Sequence, residues 1–98
     1  DGAPGVPRLI WLEGAKGDFL EIRQFLRQRA PRAATRIGRR IRELVTLLKK
    51  NPEMGRAGII PGTRELVITD TPYVVIYVVE DVGVAILGVV HGAQDREP

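Results

Sequence analysis

The sequence predicts an α+β domain with the element order β-α-α-β-β-β, in which an antiparallel helical hairpin packs on one face of a mostly antiparallel sheet. Three observations predict this fold: an apolar run at residues 8–12, two stretches of helical periodicity within residues 16–50, and three β-rich runs within residues 63–91. At 98 residues the chain is large enough for one hydrophobic core, so a second domain is not expected.

The strongest strand signal extends from Pro72 to His91, where β-branched and aromatic residues flank a short polar break at residues 80–83. This pattern is typical of a β-hairpin, and an aspartate and a glycine in the break suit its turn. Both faces of its first arm are apolar, which favours a central strand with something covering each side. Thr63–Thr69 is the predicted strand before it, and Arg8–Leu12 is the predicted first strand.

Two amphipathic helices are predicted between the first strand and the hairpin. The first covers about residues 16–29, after Gly14 and Gly17, and Asp18 near its start complements the helix dipole. Pro31 separates it from a second helix over about residues 32–50, and residues 53–62 are expected to form a loop. The second helix has one apolar stripe, made of Ile37, Ile41, Leu44, Val45 and Leu48.

Composition excludes several classes of site. The chain has no cysteine and one histidine, which excludes disulfides, thiolate metal sites and a histidine cluster. We therefore expect no metal and no cofactor. The longest apolar runs are far shorter than the roughly 20 residues of a membrane span, so we expect a cytoplasmic protein without membrane contact. Residues 1–7 are expected to form a flexible lead-in, and residues 8–98 a single domain with a polar tail from residue 92.

The charge is unevenly distributed. Residues 21–50 carry ten basic and two acidic side chains, whereas residues 51–98 carry three basic and seven acidic ones. At 100° per residue, four arginines of the second helix project away from its apolar stripe: Arg32, Arg36, Arg39 and Arg42. This basic face is either a solvated helix surface or a weak, salt-sensitive site for a polyanion.

Four other side chains are candidates for chemistry or binding. His91 could act as a general acid or base, although an exposed histidine at a strand end is the commoner use. Arg64 could bind phosphate or pair with a neighbouring carboxylate. Tyr73 and Tyr77 share one strand face, where they could stack on a base or pack in the core. The sheet face opposite the helices is a candidate surface for a partner.

Five motifs, in this order and spacing, resemble the RelE/ParE superfamily of bacterial toxin-antitoxin toxins. They are Arg-Leu-Ile-Trp at residue 8, Asn-Pro-Glu-Met-Gly-Arg at 51, Pro-Gly-Thr-Arg-Glu-Leu-Val at 61, Pro-Tyr-Val-Val-Ile-Tyr at 72 and Ile-Leu-Gly-Val-Val-His-Gly-Ala-Gln-Asp at 86. The resemblance implies the fold predicted above, toxicity to the host cell, and a cognate antitoxin that wraps the toxin in a hetero-oligomer.

The resemblance allows two activities. ParE-like members inhibit DNA gyrase by protein binding, and RelE-like members are metal-independent endonucleases that cut mRNA on the ribosome. Val74 stands where the ribonuclease members typically carry an arginine for the scissile phosphate, and the C-terminal ending is more similar to ParE. We therefore expect a ParE-like gyrase inhibitor that is not an enzyme.

Two alternatives stay open: a RelE-like endonuclease that uses His91 and Arg64, and an inactive member that only binds the antitoxin. The candidates for binding the target or the antitoxin are Arg64, Tyr73, Tyr77, His91, Gln94 and Arg96.

Overall fold

A computed structural model describes residues 8–92 as two helices packed on a five-stranded sheet. The sheet order is β1-β5-β4-β3-β2, with β1 parallel to β5 and every other neighbouring pair antiparallel. This architecture confirms the predicted α+β fold with a helical hairpin on one sheet face. The elements are β1 (Arg8–Trp11), α1 (Glu13–Arg29), α2 (Pro31–Leu47), β2 (Arg56–Ala57), β3 (Arg64–Val67), β4 (Tyr73–Glu80) and β5 (Gly83–His91).

The hydrophobic core lies between the helices and the sheet. Four residues of the predicted α2 stripe are buried there, and Leu44 is partly buried against them. The sheet contributes alternate residues of β4 and β5 because successive side chains of a strand point to opposite faces. The core side chains from these elements are Ile37, Ile41, Val45, Leu48, Leu66, Tyr73, Val75, Tyr77, Val84, Ile86 and Val89.

The start of α1 differs from the prediction. Leu12 still donates its amide to Ile86 of β5, yet its carbonyl already accepts from the Lys16 amide, so the helix begins at Glu13 and contains both glycines. A Cβ at Gly14 would lie 3.6 Å from the Leu87 carbonyl oxygen, and Ala15 is fully buried. Gly14 and Ala15 therefore let the helix lie close over β5 in its first turn, and this packing offsets the poor helix propensity of the glycine.

Two further boundaries were predicted incorrectly. The helix α2 ends at Leu47, three residues early, because the chain tightens there into bonds from Lys49 to Thr46 and from Lys50 to Leu47. The predicted loop contains the short strand β2, which extends the sheet beside β3. None of the helices within residues 8–92 is long and apolar enough to cross a membrane.

The predicted hairpin is formed by β4 and β5, and it contains a β-bulge. Tyr77 pairs with Ile86, but Ile76 pairs with Gly88, so Leu87 is an extra residue on β5. Because side chains alternate between faces, this one extra residue reverses which face each later side chain of β5 occupies. Val89 and His91 therefore share the helix-covered face, and Val90 points to the opposite one.

Candidate functional site

The sheet face opposite the helices is largely apolar, with the buried carboxylate of Glu65 beside Ile76 in its middle row. The strand register places Val67, Val74 and Val90 side by side in one row across three strands, and Val78, Ala85 and Ile10 in another. Ile10 and Val67, at the two ends of these rows, are about two-fifths exposed, whereas Val74 is buried. We call these six residues the open face. Such a surface suits a partner that brings its own apolar side chains.

Arg64 lies on the helix-covered side of the sheet, because it pairs with Tyr77. Its guanidinium Nη1 donates to the Gly55 carbonyl at 2.6 Å and to the Glu53 carbonyl at 3.4 Å. The side chain thus fastens the chain before β2 to β3. Glu65, the next residue, contacts Arg56 and accepts a hydrogen bond from the Ile59 amide.

Tyr77 is fully buried, and its hydroxyl binds the same segment of chain before β2 that Arg64 holds. It donates to the Pro52 carbonyl at 2.7 Å and accepts from the Gly55 amide at 2.9 Å. Burial raises the pKa of the Tyr77 phenol, while the Gly55 bond and the charge of Arg64 act in the opposite direction. A ring held in this way packs in the core and is not presented for stacking on a base.

Tyr73 and His91 pair directly across β4 and β5 at the far end of the sheet. Their rings meet edge to face with centroids 5.9 Å apart. Tyr73 is buried in the core, and burial raises the pKa of its phenol. The bulge in β5 is what brings the imidazole beside this ring, because without the extra residue His91 would point to the open face.

The structure does not bring His91 and Arg64 together. They pair with residues four positions apart on β4, which is about 13 Å along the strand, and they lie on opposite sides of that strand. The guanidinium of Arg64 is bonded to the Glu53 and Gly55 carbonyls, and the imidazole of His91 lies beside the Tyr73 ring, so the two groups do not converge on one site. Within residues 8–92 no group of three or more His, Cys, Asp and Glu side chains could hold a metal ion.

The four arginines of the predicted basic face are all exposed. Arg42 leans towards α1, with its guanidinium carbon 5.7 Å from the centre of the Phe19 ring. Arg40, by contrast, donates Nε to the Thr69 carbonyl at 2.9 Å and Nη2 to the Thr69 hydroxyl. That arginine fastens α2 to the turn after β3 and does not belong to the basic face.

A second apolar concavity was not predicted. It measures about 310 Å³ and lies between β1, α1 and α2, with aromatic and aliphatic side chains at its base and two cations at its rim. Its residues come from distant parts of the sequence, and no local pattern indicates that they meet. The rings of Trp11 and Phe19 are 5.5 Å apart. The lining residues are Trp11, Lys16, Phe19, Leu20 and Arg42.

The predicted lead-in at residues 1–7 and the tail candidates Gln94 and Arg96 lie outside the described residues.

Comparison with known proteins identifies the family of this chain. Residues 9–96 match the family described as "ParE toxin of type II toxin-antitoxin system, parDE". The chain is similar to a solved structure described as "Chromosomal ParDE TA system from P. aeruginosa", with a TM-score of 0.80 and 25% identity, over 88% of this chain and 96% of that one. The fold is therefore that of a RelE/ParE superfamily toxin.

Two curated relatives agree with this class. Over 87 residues the chain is 38% identical to "Putative toxin Y4kP" of Sinorhizobium fredii (strain NBRC 101917 / NGR234), a match covering 89% of this chain and 90% of the relative. It is 34% identical over 87 residues to "Toxin RelE2" of Caulobacter vibrioides (strain ATCC 19089 / CIP 103742 / CB 15), covering 89% and 97%. The chain belongs to the ParE toxin family of type II toxin-antitoxin systems, and this membership implies an antitoxin partner.

Proposed function

We propose that this toxin inhibits DNA gyrase by protein binding and that its cognate antitoxin neutralises it by covering the open face. The proposal places the chain in the cytoplasm, where gyrase works. The observation that carries it is the separation of His91 from Arg64, combined with a buried valine at residue 74, where the resemblance leads us to expect an arginine in ribonuclease members. An aliphatic side chain cannot stabilise phosphate charge.

The positions of the other candidates also support binding over catalysis. The guanidinium of Arg64 is engaged by two backbone carbonyls, and the Tyr77 hydroxyl by a carbonyl and an amide. Both side chains hold residues 52–55, the segment just before β2, in place. Using either of them on a substrate would require breaking these bonds, which makes them poor catalytic groups for a rigid site.

The open face supports the antitoxin part of the proposal. Its two rows are apolar, each with one exposed end, Val67 in one row and Ile10 in the other. An antitoxin segment with alternating apolar side chains would cover these rows and remove them from water. Such burial stabilises a complex by roughly 25 cal/mol per Å² of apolar surface before the costs of ordering are subtracted.

The deciding experiment is pulse-labelling of DNA and protein synthesis in bacteria within minutes of inducing the toxin without antitoxin. We expect DNA synthesis to fall first and purified toxin to block supercoiling by gyrase. The contrary result is an early fall in protein synthesis with cut mRNA, which would establish the RelE-like alternative that the name of the Caulobacter relative favours. In that case His91→Ala should abolish cleavage. If neither synthesis falls while the toxin is soluble, the inactive antitoxin-binding alternative is correct.

The tail beyond β5 is part of the proposal, because the resemblance assigns the C-terminal end of ParE-like members a role in toxicity. We expect deletion of residues 92–98 to relieve toxicity and leave antitoxin binding intact. Deletion of residues 1–7 is the matched control and should change neither. Full toxicity after loss of residues 92–98 would remove the tail from the mechanism.

A further inference from the structure

The outer surface of α2 carries a straight row of three arginines that the proposed function does not use. Arg32, Arg36 and Arg39 are spaced at i, i+4 and i+7, so they fall within about 60° of one another around the helix. All three are exposed, and within residues 8–92 their guanidinium groups form no hydrogen bond or ion pair. Three permanent charges are thus held side by side with their hydrogen-bonding capacity facing water.

The row lines one concavity with uncharged neighbours, and two of its arginines line a second concavity that also holds two carboxylates. Three arginines, with Pro31 and Thr35, line a shallow concavity of about 440 Å³ on the outer side of α2. At the other end Glu43 follows Arg39 by four residues and continues the same line on the helix, and with Asp70 it lines a smaller concavity. The positive surface therefore stops after about two helical turns.

We propose that this row binds the phosphate backbone of double-stranded DNA. From Arg32 to Arg39 the helix rises about 10 Å, and one strand of duplex DNA carries a phosphate for each 3.4 Å or so of its axis. The row therefore spans about three such steps, which is a stretch of four phosphates, and each of its three arginines can contact one of them. Arginine guanidinium groups donate to phosphate oxygens in a planar fork, and such contacts position a protein without reading sequence.

The chemistry favours duplex DNA over other polyanions. Single strands are held by aromatic side chains on which the bases stack, and residues 31–43 contain none. The row lies on a convex helix, which can approach the phosphates along the edge of the wide major groove of B-form DNA, whereas the major groove of A-form RNA is deep and narrow. This inference does not depend on gyrase being the target, since it concerns a different surface.

The test is a titration of a fluorescent DNA duplex of mixed sequence with the purified full chain, at a series of NaCl concentrations. Three phosphate contacts predict that log K falls against log salt with a slope of about −2.7. In Arg36→Gln/Arg39→Gln the slope should fall to about −0.9, with a large loss of affinity at low salt. Far-UV circular dichroism checks that α2 stays folded.

Two control variants make the result specific. Lys49→Gln/Lys50→Gln removes the same charge from exposed positions after α2 and should leave the slope unchanged. Arg36→Lys/Arg39→Lys keeps the charges and should keep the slope. The proposal is overturned if no binding occurs at low salt, or if the lysine-to-glutamine control loses as much affinity as the arginine variant. It is also overturned if single-stranded DNA, duplex RNA or polyglutamate binds as tightly as duplex DNA.

Discussion

The carboxylate of Asp18 on α1 accepts a hydrogen bond from the backbone amide of Val89 on β5, with Oδ2 3.0 Å from the nitrogen. The bond falls next to the bulge at Leu87, where the ladder between β4 and β5 changes register. Asp18 had been expected to complement the dipole at the start of α1. Because the helix begins at Glu13, five residues before Asp18, the Asp18 carboxylate instead joins the helix to β5 beside the bulge.

Replacing Asp18 with Ala should destabilise the protein by about 1–3 kcal/mol, since the Val89 amide would lose its acceptor in a partly buried place. Urea unfolding monitored by circular dichroism measures this loss. Glu21→Ala is the matched control: Glu21 is an exposed acid on the same helix, and its removal should change the free energy of unfolding by less than about 0.5 kcal/mol. Equal effects of the two variants would show that the bond to the bulge does not contribute.

Removing the two tyrosine hydroxyls should have unequal effects. Tyr77→Phe leaves the Pro52 carbonyl and the Gly55 amide without their partner and should cost about 1–3 kcal/mol. In the described chain the Tyr73 hydroxyl has no hydrogen bond, so Tyr73→Phe should be nearly neutral. Thermal unfolding of the two variants gives the comparison. A Tyr73→Phe variant as unstable as Tyr77→Phe would contradict this assignment.

Stability should also fall at alkaline pH. The pKa of both tyrosines is raised by burial above the ordinary value of 10.0. An unfolded tyrosine ionises near that value while the folded one keeps its proton, so above about pH 10 the unfolded state binds fewer protons and is favoured. The stabilising effect is complete below pH 10 and is lost as pH rises through the folded pKa. We expect the Tyr73→Phe/Tyr77→Phe variant to show a shallower alkaline loss than the wild type in urea titrations; parallel curves would refute this.

Gly83→Ala should detach β1 from the sheet. Gly83 has φ +144°, and a Cβ there would collide with backbone atoms of Arg8, its partner on β1. Hydrogen exchange should show lost protection at the amides of β1 while β4 stays protected. Gly62→Ala separates backbone strain from the collision. Its φ is +88°, so alanine is strained there too, but nothing lies within 4 Å of the added carbon. Unchanged protection of β1 in Gly83→Ala would contradict this prediction and show that the backbone shifts to accommodate the added carbon.

A charge on the open face should weaken the toxin-antitoxin complex. Val67, at the edge of that face, is 42% exposed. Val67→Lys should reduce affinity for the cognate antitoxin at least tenfold, about 1.4 kcal/mol, because the lysine would be buried without a partner. Val82→Lys introduces the same charge at an exposed site in the hairpin turn and should bind normally. Calorimetry on both variants tests the location, and unaffected binding by Val67→Lys would place the antitoxin elsewhere.

The sequence predicted those features that depend on a repeated local pattern. The α2 stripe and the two arms of the hairpin each extend over several residues, so their periodicity determines which side is buried. The two-residue strand β2 and the single extra residue at Leu87 leave no periodic trace. Gly14 and Gly17 misled the assignment of the start of α1, because their poor helix propensity did not prevent the helix from beginning at Glu13. Gly14 and Ala15 pack close to β5 there, which sequence alone does not display.

The candidate site was less predictable because its partners are distant in sequence. Arg64 and Tyr77 were recognised as notable residues, but their bonds go to backbone carbonyls and an amide between residues 52 and 55, and a backbone group carries no residue-type signal. For His91 the difficulty is the register. One unpaired residue at the bulge decides which face its imidazole occupies, so the hairpin pattern alone could not place it.

The parallel pairing of β1 with β5 has a consequence for synthesis on the ribosome. Within residues 8–92, β1 has its only hydrogen-bonded neighbour in β5, with Arg8 beside Gly83 and Trp11 beside Ile86. Such long-range pairing is slow to form, and it cannot begin until β5 has been translated. A nascent chain therefore has its helical hairpin before it has a complete sheet, and we expect the sheet to be completed only after β5 has left the ribosome. An antitoxin can cover the whole open face only from that moment.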